Sequence, residues 1–497
     1  MRRLRSIAAV CLPLSLALGL AGCGLTRPPA TVEAPFPAQW HAPLPHGGSL
    51  ASLADWWRQL DDPLLVELIA AAEAASPNLA SAAARVAEAR STRVQAGAAL
   101  LPNLDGTASA SRGVSGSSFG SGGTASSSGG STAIAPLTTL QAGLQSKWEI
   151  DLFGRLRADR DSAEQKFNSA SAKWHDARVA VAAETANAYF AERACQQQLR
   201  VAESDAKSRG ETARLTDLSA RAGFTAPADA ALARASASDA SGRLTQQRAQ
   251  CAVQRKALVA LSGIDEPTLE QKLAASPAQR TLPAVGSIAS VPAEAISQRP
   301  DVYAAELGVA SASAEVGSAE AERYPKLSIS GSIGRMQIRT SGFRASLDTW
   351  TIGPVSLTVP LLDGGARTAN SDAAKARYTE AVSLYRANVR QAVREVEEAL
   401  VNLDATDARA TDADSAVKNY QASFDATQAR YQSGLASLFE LEDSRRTLFA
   451  AQTARVSLQR ERTEAWVALY RSMGGGWARP ESPSMTSNPA AKVATSP

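Results

Sequence analysis

Few residues in this 497-residue chain have the types and spacing that chemistry demands. The three histidines (His41, His46, His175) and four cysteines (Cys11, Cys23, Cys195, Cys251) are widely separated, so none forms the short-interval cluster of a metal site. Gly116-Ser117-Ser118-Phe119-Gly120 fits the G-x-S-x-G pattern of a serine nucleophile. It sits in a Gly/Ser tract rather than between a strand and a helix, which makes the match compositional. No Gly-rich phosphate loop of Walker type occurs. Catalysis, a cofactor and a resident metal are therefore not expected. Two features keep chemical interest. Glu440 and Asp443, three residues apart, share a helix face with Arg446 one turn beyond, although a solvated face is the usual fate of such a cluster. Cys195 and Cys251 lie 28 residues either side of Gly223 and face each other if a hairpin turns there. A disulfide and two buried thiols both fit, because helix axes about 8–10 Å apart demand well-aimed Cβ atoms.

The charge balance narrows the partners. Lys+Arg number 52 against 49 Asp+Glu, for a net charge of +3, which offers no polybasic field for nucleic acid. At the N-terminus Arg2, Arg3 and Arg5 precede the apolar stretch Ile7 to Leu18, too short to span a bilayer and right for an export signal. Leu20-Ala21-Gly22-Cys23 resembles a bacterial lipobox. It places cleavage before Cys23, which then carries acyl chains that anchor it stably. Gly24 follows rather than Asp, so the resemblance implies the outer membrane.

Behind these residues lies a duplicated framework. Leu101-Pro102-Asn103-Leu104 precedes two alternating segments, closed by Trp148-Glu149-Ile150-Asp151-Leu152-Phe153-Gly154-Arg155 and a long run of helix formers. Tyr324-Pro325-Lys326-Leu327 opens the same succession, closed by Val355 to Gly364. Gly154 and Gly364 are 210 residues apart and Gly223 and Gly434 are 211 apart, the mark of an internal two-fold repeat. The mostly apolar row Ala142, Leu144, Ser146, Trp148, Ile150 and Leu152 alternates with Gln141, Gly143, Gln145, Lys147, Glu149 and Asp151, and Leu327 to Gly334 alternate likewise. The period is that of a sheet with one greasy and one wet face, common to soluble sandwiches and membrane barrels. No proline interrupts Arg155 to Ala222 or Ala366 to Ser433; about 68 residues of unbroken helix extend roughly 100 Å. In the second run a seam from Val382 through Tyr385, Val389, Ala392, Val396, Ala399, Leu403, Thr406, Ala410, Ala413, Val417, Tyr420, Phe424 and Thr427 to Tyr431 keeps coiled-coil spacing. The first run is patchier, with Val179, Ala182, Ala186 and either Tyr189 or Phe190. Gly223 and Gly434 end the runs as left-handed caps, and helix resumes after each.

If the strands span a membrane, four cannot close a barrel alone and several copies must share one. Here the chain resembles the TolC/NodT-type outer-membrane factors, the exit ducts of tripartite efflux pumps. The resemblance is carried by Trp56-Trp57 with Asp62-Pro63-Leu64, by Trp148 to Arg155, by Arg299-Pro300-Asp301-Val302 with Ala305-Glu306, and by Leu469-Tyr470 with Gly474-Gly475-Gly476-Trp477. It implies a mainly α fold with a small transmembrane β part: a homotrimer sharing a 12-stranded β-barrel, with coiled-coil hairpins in a 12-helix α-barrel. The expected division is a signal peptide (1–22), a lipid-anchored segment with the first-repeat helix (23–101), the first β-hairpin (102–154), the first helical hairpin (155–262) and an equatorial linker (263–298). The second-repeat helix (299–324), second β-hairpin (325–364), second helical hairpin (365–470) and a tail (471–497) follow.

The same resemblance implies a periplasmic adaptor, an inner-membrane transporter of the resistance-nodulation-division type and contact with outer-membrane lipid. It places a periplasmic gate at Tyr431, Phe439, Glu440, Asp443 and Arg446, with adaptor-docking tips at Arg221, Gly223, Gly434 and Ser437. In a trimer, like carboxylates at Glu440 and Asp443 would meet as a ring near the axis, raising their pKa values. The expected function is passive export of drugs or other small solutes. A type I protein-secretion duct and a non-channel envelope lipoprotein are the alternatives.

Overall fold

The computed structural model of the chain describes residues 27–34, 57, 60–114, 136–276, 296–340 and 343–480. Cys23 lies outside them. In chain order the elements are α1 (Pro63–Ala75), α2 (Pro77–Ala98), β1 (Asn103–Gly113), β2 (Leu137–Ile150), α3 (Arg155–Arg221), α4 (Pro227–Ser262) and α5 (Glu266–Ala275). There follow α6 (Pro300–Ala321), β3 (Lys326–Thr340), β4 (Phe343–Thr358), α7 (Ala366–Gln432), α8 (Leu438–Ser472) and a 3-10 turn at Gly474–Gly476. Helix, two strands, long helix and returning helix thus occur twice in the same order. Among the described residues no helix is long and apolar enough to cross a membrane.

The elements fall into two compact units. The first gathers the described residues of 27–32, 87–168 and 306–383. Its centre is one antiparallel sheet in the order β1-β2-β3-β4. Paired residues share a face, so the register sorts the side chains. Ile150, Leu327 and Leu357 make one row, Trp148, Ile329 and Val355 the next, and Leu144, Ile333 and Trp350 another. Trp350 is 71% exposed, so this greasy face has no cover among the described residues. The opposite face carries Gln145, Lys147, Ser328, Ser332 and Thr351. β1 pairs only with β2 and β4 only with β3, leaving both outer edges without backbone partners in the sheet.

The strands differ from the alternation in two places. β2 ends at Ile150 rather than reaching Leu152, because Asp151 turns to α3: its Oδ2 accepts from the Arg157 backbone N–H at 2.9 Å and from Arg157 Nε at 3.2 Å. At the other end β3 continues to Thr340, beyond the readable pattern, because the pattern there reverses. Gln337 and Arg339 take over the greasy face, while Met336 and Ile338 occupy the wet one. Mid-sheet, Gly143 pairs with Gly334. A Cβ on Gly143 would lie 2.6 Å from the Ile333 carbonyl oxygen and 2.9 Å from the Gly334 Cα, contacts that backbone cannot yield to.

Beside the sheet, Glu320 near the end of α6 accepts from Ser371 Oγ at 2.7 Å and pairs with Lys375 Nζ at 2.6 Å, both on α7. These hydrogen bonds, Lys375 first, hold the Glu320 carboxyl down at about 2.

The second unit gathers the described residues of 33–86, 169–305 and 384–480 and is mainly helical. α3 and α7 each have 67 residues. Of the α7 seam, Tyr385, Val389, Ala392, Val396, Ala399, Leu403, Thr406 and Phe424 are buried, whereas Tyr420 is 44% exposed. On α3 it is Tyr189, not Phe190, that is buried beside Val179, Ala182 and Ala186. The segment after Gly263, expected only as an equatorial linker, contains α5. Asp265 caps it by accepting from Thr268 N–H at 3.1 Å, with Pro267 in the first turn. Proline there starts a helix rather than breaking one.

Gly143→Val forces β2 and β3 apart and is expected to abolish folded protein in detergent extracts, by far-UV circular dichroism. Gly106→Ala, whose Cβ meets only Leu144 Cδ2 at 3.9 Å, should fold normally. For Glu320 the folded pKa lies below the ordinary 4.5, so its stabilisation is present above pH 4.5 and lost as pH falls toward about 2. Glu320→Gln should lower stability by about 1 kcal/mol at neutral pH, a figure discounted for solvent screening, and flatten the thermal midpoint across that window.

Candidate functional site

The residues singled out for gating and docking belong to the second unit, where α3 turns into α4 and α7 into α8. Both turns use one device. Gly223 and Gly434 have positive φ (79° and 76°), the left-handed conformation glycine adopts without a Cβ penalty. Behind them Phe224 N–H donates to the Ser219 carbonyl at 2.9 Å and Leu435 N–H to the Arg430 carbonyl at 2.8 Å, closing the helix ends in Schellman fashion. Phe224 and Leu435, each one residue past its glycine, are 87% and 71% exposed. Arg221 is exposed and paired with Asp217 at 2.6 Å, which Arg234 of α4 also reaches at 2.7 Å.

The residues expected at the gate have separate tasks within the chain. Tyr431 shares a hydrogen bond between its hydroxyl and Thr216 Oγ1 at 3.1 Å, joining α7 to α3. Phe439 is 72% exposed. Ser437 and Glu440 form a capping box on α8: Glu440 N–H donates to Ser437 Oγ at 3.2 Å, and Ser437 N–H donates to Glu440 Oε2 at 2.7 Å. That backbone hydrogen bond holds the Glu440 carboxyl below the usual range. Within the chain its shift is therefore opposite in sign to the one expected of a carboxylate ring, because Glu440 is committed to its own helix terminus. Asp443 is ion-paired with Arg446, both on the exposed side of α8.

What holds the four helix ends together is a group the sequence reading missed. Arg209 on α3 donates from Nε to Asp205 Oδ1 at 2.8 Å and from Nη1 to Ser236 Oγ of α4 at 2.6 Å, and it is ion-paired with Glu442 of α8. Ser236 Oγ donates to Glu442 Oε2 at 2.6 Å. Arg445, also paired with Glu442, donates to Thr212 Oγ1 at 3.0 Å and lies over the Phe424 ring at 5.5 Å. The side chains of Asp205, Arg209, Glu442 and Arg445 are all at least five-sixths buried. Ala213, Ala233, Phe424, Leu438, Leu441 and Leu448 form an apolar cluster of this unit, with Tyr431 packed against it. The signal was present as Asp205/Arg209 and Glu442/Arg445, spaced four and three apart. Such spacing usually marks a solvated face, and only tertiary packing shows these to be inside.

Farther along the same hairpin, Cys195 and Cys251 are joined by a disulfide with Cα atoms 5.5 Å apart. The residues that carry the family resemblance work at element ends. Asp62 caps α1 and accepts from Tyr189 Oη at 2.7 Å. Arg299 donates to the Ser472 carbonyl at 3.0 Å and pairs with Asp301 and Glu395 at 2.7 and 2.8 Å. Trp57 packs on Tyr470 with ring centroids 4.5 Å apart. Among the described residues no group of His, Cys, Asp and Glu is arranged to hold a metal ion.

This architecture matches known proteins along most of its length: residues 68–264 and 291–475 fit the outer membrane efflux protein pattern. The chain belongs to that family. The pyoverdine export outer membrane protein OpmQ of Pseudomonas putida is 30% identical over 468 residues, 93% of this chain and 97% of the relative. The toluene efflux pump outer membrane protein TtgI of a second Pseudomonas putida strain is 29% identical over 94% of this chain and 98% of its own. Among solved structures, the outer-membrane channel OprN superposes with a TM-score of 0.75 at 27% identity, covering 91% of this chain and 99% of that one. The mainly helical fold with a few antiparallel strands is thus that of outer-membrane efflux channels, and the chain is an efflux channel component.

In this efflux protein the buried arginine group is the charged tie between the first and second hairpins near their turns, beside the Tyr431–Thr216 hydrogen bond. Glu442→Gln leaves Arg209 and Arg445 buried without their shared counter-charge and should cost about 3–5 kcal/mol locally. Amide hydrogen exchange should then accelerate in residues 205–216 and 438–448 with the sheet unaffected; unchanged protection there contradicts the assignment.

Proposed function

We propose that three copies of this chain form a passive duct through the outer membrane. Each copy contributes β1–β4 to a shared 12-stranded barrel and its two helical hairpins to a 12-helix periplasmic conduit. The observation that carries this reading is the four-stranded sheet with a bare apolar face and two unpaired edges. Backbone groups left unpaired in hydrocarbon cost several kcal/mol each, and pairing β1 of one copy with β4 of the next removes every such edge. The paired 210- and 211-residue spacings support an internal two-fold repeat, which makes each chain two similar halves of one stave.

Anchoring is assigned to acylated Cys23. The turns at Arg221, Gly223, Gly434 and Ser437 are assigned to docking a periplasmic adaptor, because exposed Phe224 and Leu435 on rigid helix ends suit binding. The energy source is an inner-membrane transporter, with the resistance-nodulation-division type the best fit. The gate is assigned to Tyr431, Phe439, Glu440, Asp443 and Arg446. Cargo is small solutes. Relatives of nearly equal identity are named for pyoverdine and for toluene, which supports selectivity residing mostly in the partner transporter.

Planar-bilayer recording tests the channel and the gate together. The wild-type protein should give discrete conductance steps, and Asp443→Ala combined with Arg446→Ala should raise the conductance severalfold. Silent wild-type bilayers reject the duct, whereas conductance unaltered by the double substitution rejects the gate alone.

A further inference from the structure

The greasy face of the sheet changes character along the strands. Beyond the row of Leu144, Ile333 and Trp350, the next row on that face is Ala142, Arg335 and Asp348, in which Arg335 Nε and Asp348 Oδ1 are 2.9 Å apart. Two rows farther on, the register aligns Arg112 of β1, Thr138 of β2, Arg339 of β3 and Arg344 of β4. Three guanidinium groups therefore share one row on the face that carries the apolar band. Arg339 and Arg344 are direct cross-strand partners, about 5 Å apart in backbone spacing, and like charges so placed repel.

The four strands supply no counter-charge for them. On this face the only carboxylate among the described strand residues is Asp348, already paired with Arg335. Among the described residues the hydrogen-bond acceptor of Arg339 is the neutral Gln337 Oε1, at 3.0 Å from Nε. The two connections in the sequence, 114–136 and 341–342, contain no Asp or Glu at all. A row of exposed arginines with no acid beside it calls for an anion from outside.

Position selects which anion. From the Arg335–Asp348 row to the arginine row is four residues, about 13 Å along a strand and about 10 Å along the membrane normal at a barrel's usual tilt. That step leads from the edge of the apolar band into the headgroup layer, where long arginine stems lie along apolar surface and deliver their charge outward. Phosphate is the headgroup anion that the planar guanidinium fork binds best, and two opposed forks suit one phosphate between them.

We propose that Arg112, Arg339 and Arg344 form a binding shelf for the phosphate groups of lipid headgroups in the leaflet that surrounds the strand tips. The proposal rests on the membrane reading of the sheet under the proposed function. The test is reconstitution of the full-length protein into phosphatidylcholine nanodiscs carrying a small share of lipid A, either diphosphorylated or enzymatically dephosphorylated. Native mass spectrometry then counts the lipid A retained on ejection. Wild type should retain the diphosphorylated form about tenfold over the dephosphorylated one, the scale of a single charge-assisted contact, and the Arg112→Gln, Arg339→Gln, Arg344→Gln triple variant should lose that preference. Arg344→Gln alone, on the exposed edge strand, provides the reading if the triple variant fails to fold, and should reduce the preference severalfold. A wild type without preference, or variants that keep it, overturns the shelf while leaving the barrel reading intact. Failure of the wild type to enter nanodiscs overturns both.

Discussion

A peptide group inside a bilayer has no water to turn to, and the membrane placement proposed for the β-sheet rests on that constraint. Four strands provide three ladders and leave two rows of donors and acceptors at the outer edges of β1 and β4. The side chains cannot hide them, because the face bearing Trp350 and Ile352 is bare. Recruiting neighbouring strands satisfies those edges, and the proposed assembly follows from it. The Gly143–Gly334 approach serves the same sheet from within by drawing β2 and β3 together at a point where any side chain would intrude on backbone.

The helical unit is stabilised differently. Its buried positions are rich in alanine, with Ala182, Ala186, Ala194 and Ala202 along α3 alone. Small residues let helices approach closely, but each removes little apolar surface from water. Register between helices therefore depends on a few inward polar ties: Tyr189 to Asp62, Arg299 to Glu395 and the Ser472 carbonyl, and the Arg209–Glu442–Arg445 group. Buried ion pairs add little net stability over apolar packing, and their best-attested use is to fix which partner sits where. That is the need of a long helix whose alanines would fit at several offsets.

Much of this was legible in the chain. Proline-free runs predicted α3 and α7 to within a residue, since stretches that long, rich in helix formers and free of breakers, favour helix over any other regular structure. Glycine with positive φ at 223 and 434 was readable because cap chemistry is local. Less was legible where meaning depends on distant partners. β3 continues past its alternation because its far end reverses polarity at Met336 to Arg339, so a rule that seeks one greasy face stops too early. α5 was hidden by Pro267, which reads as a breaker until Asp265 is seen to cap it. Arg209 and Arg445 look like surface charges because nothing in their spacing reveals the helices that cover them. Tyr189 rather than Phe190 lies inside because its hydroxyl has Asp62 to meet.

The two helical hairpins are cross-linked by unlike means. A covalent bond between Cys195 and Cys251 ties α3 to α4, whereas α7 and α8 are bridged by the exposed pairs Arg409–Glu461, Arg462–Asp407 and Arg455–Asp414. Mobile ions screen exposed pairs and do nothing to a sulfur–sulfur bond. Raised ionic strength therefore weakens the exposed pairs of both hairpins, Arg248–Glu203 between α3 and α4 included, but leaves the first hairpin its covalent tie.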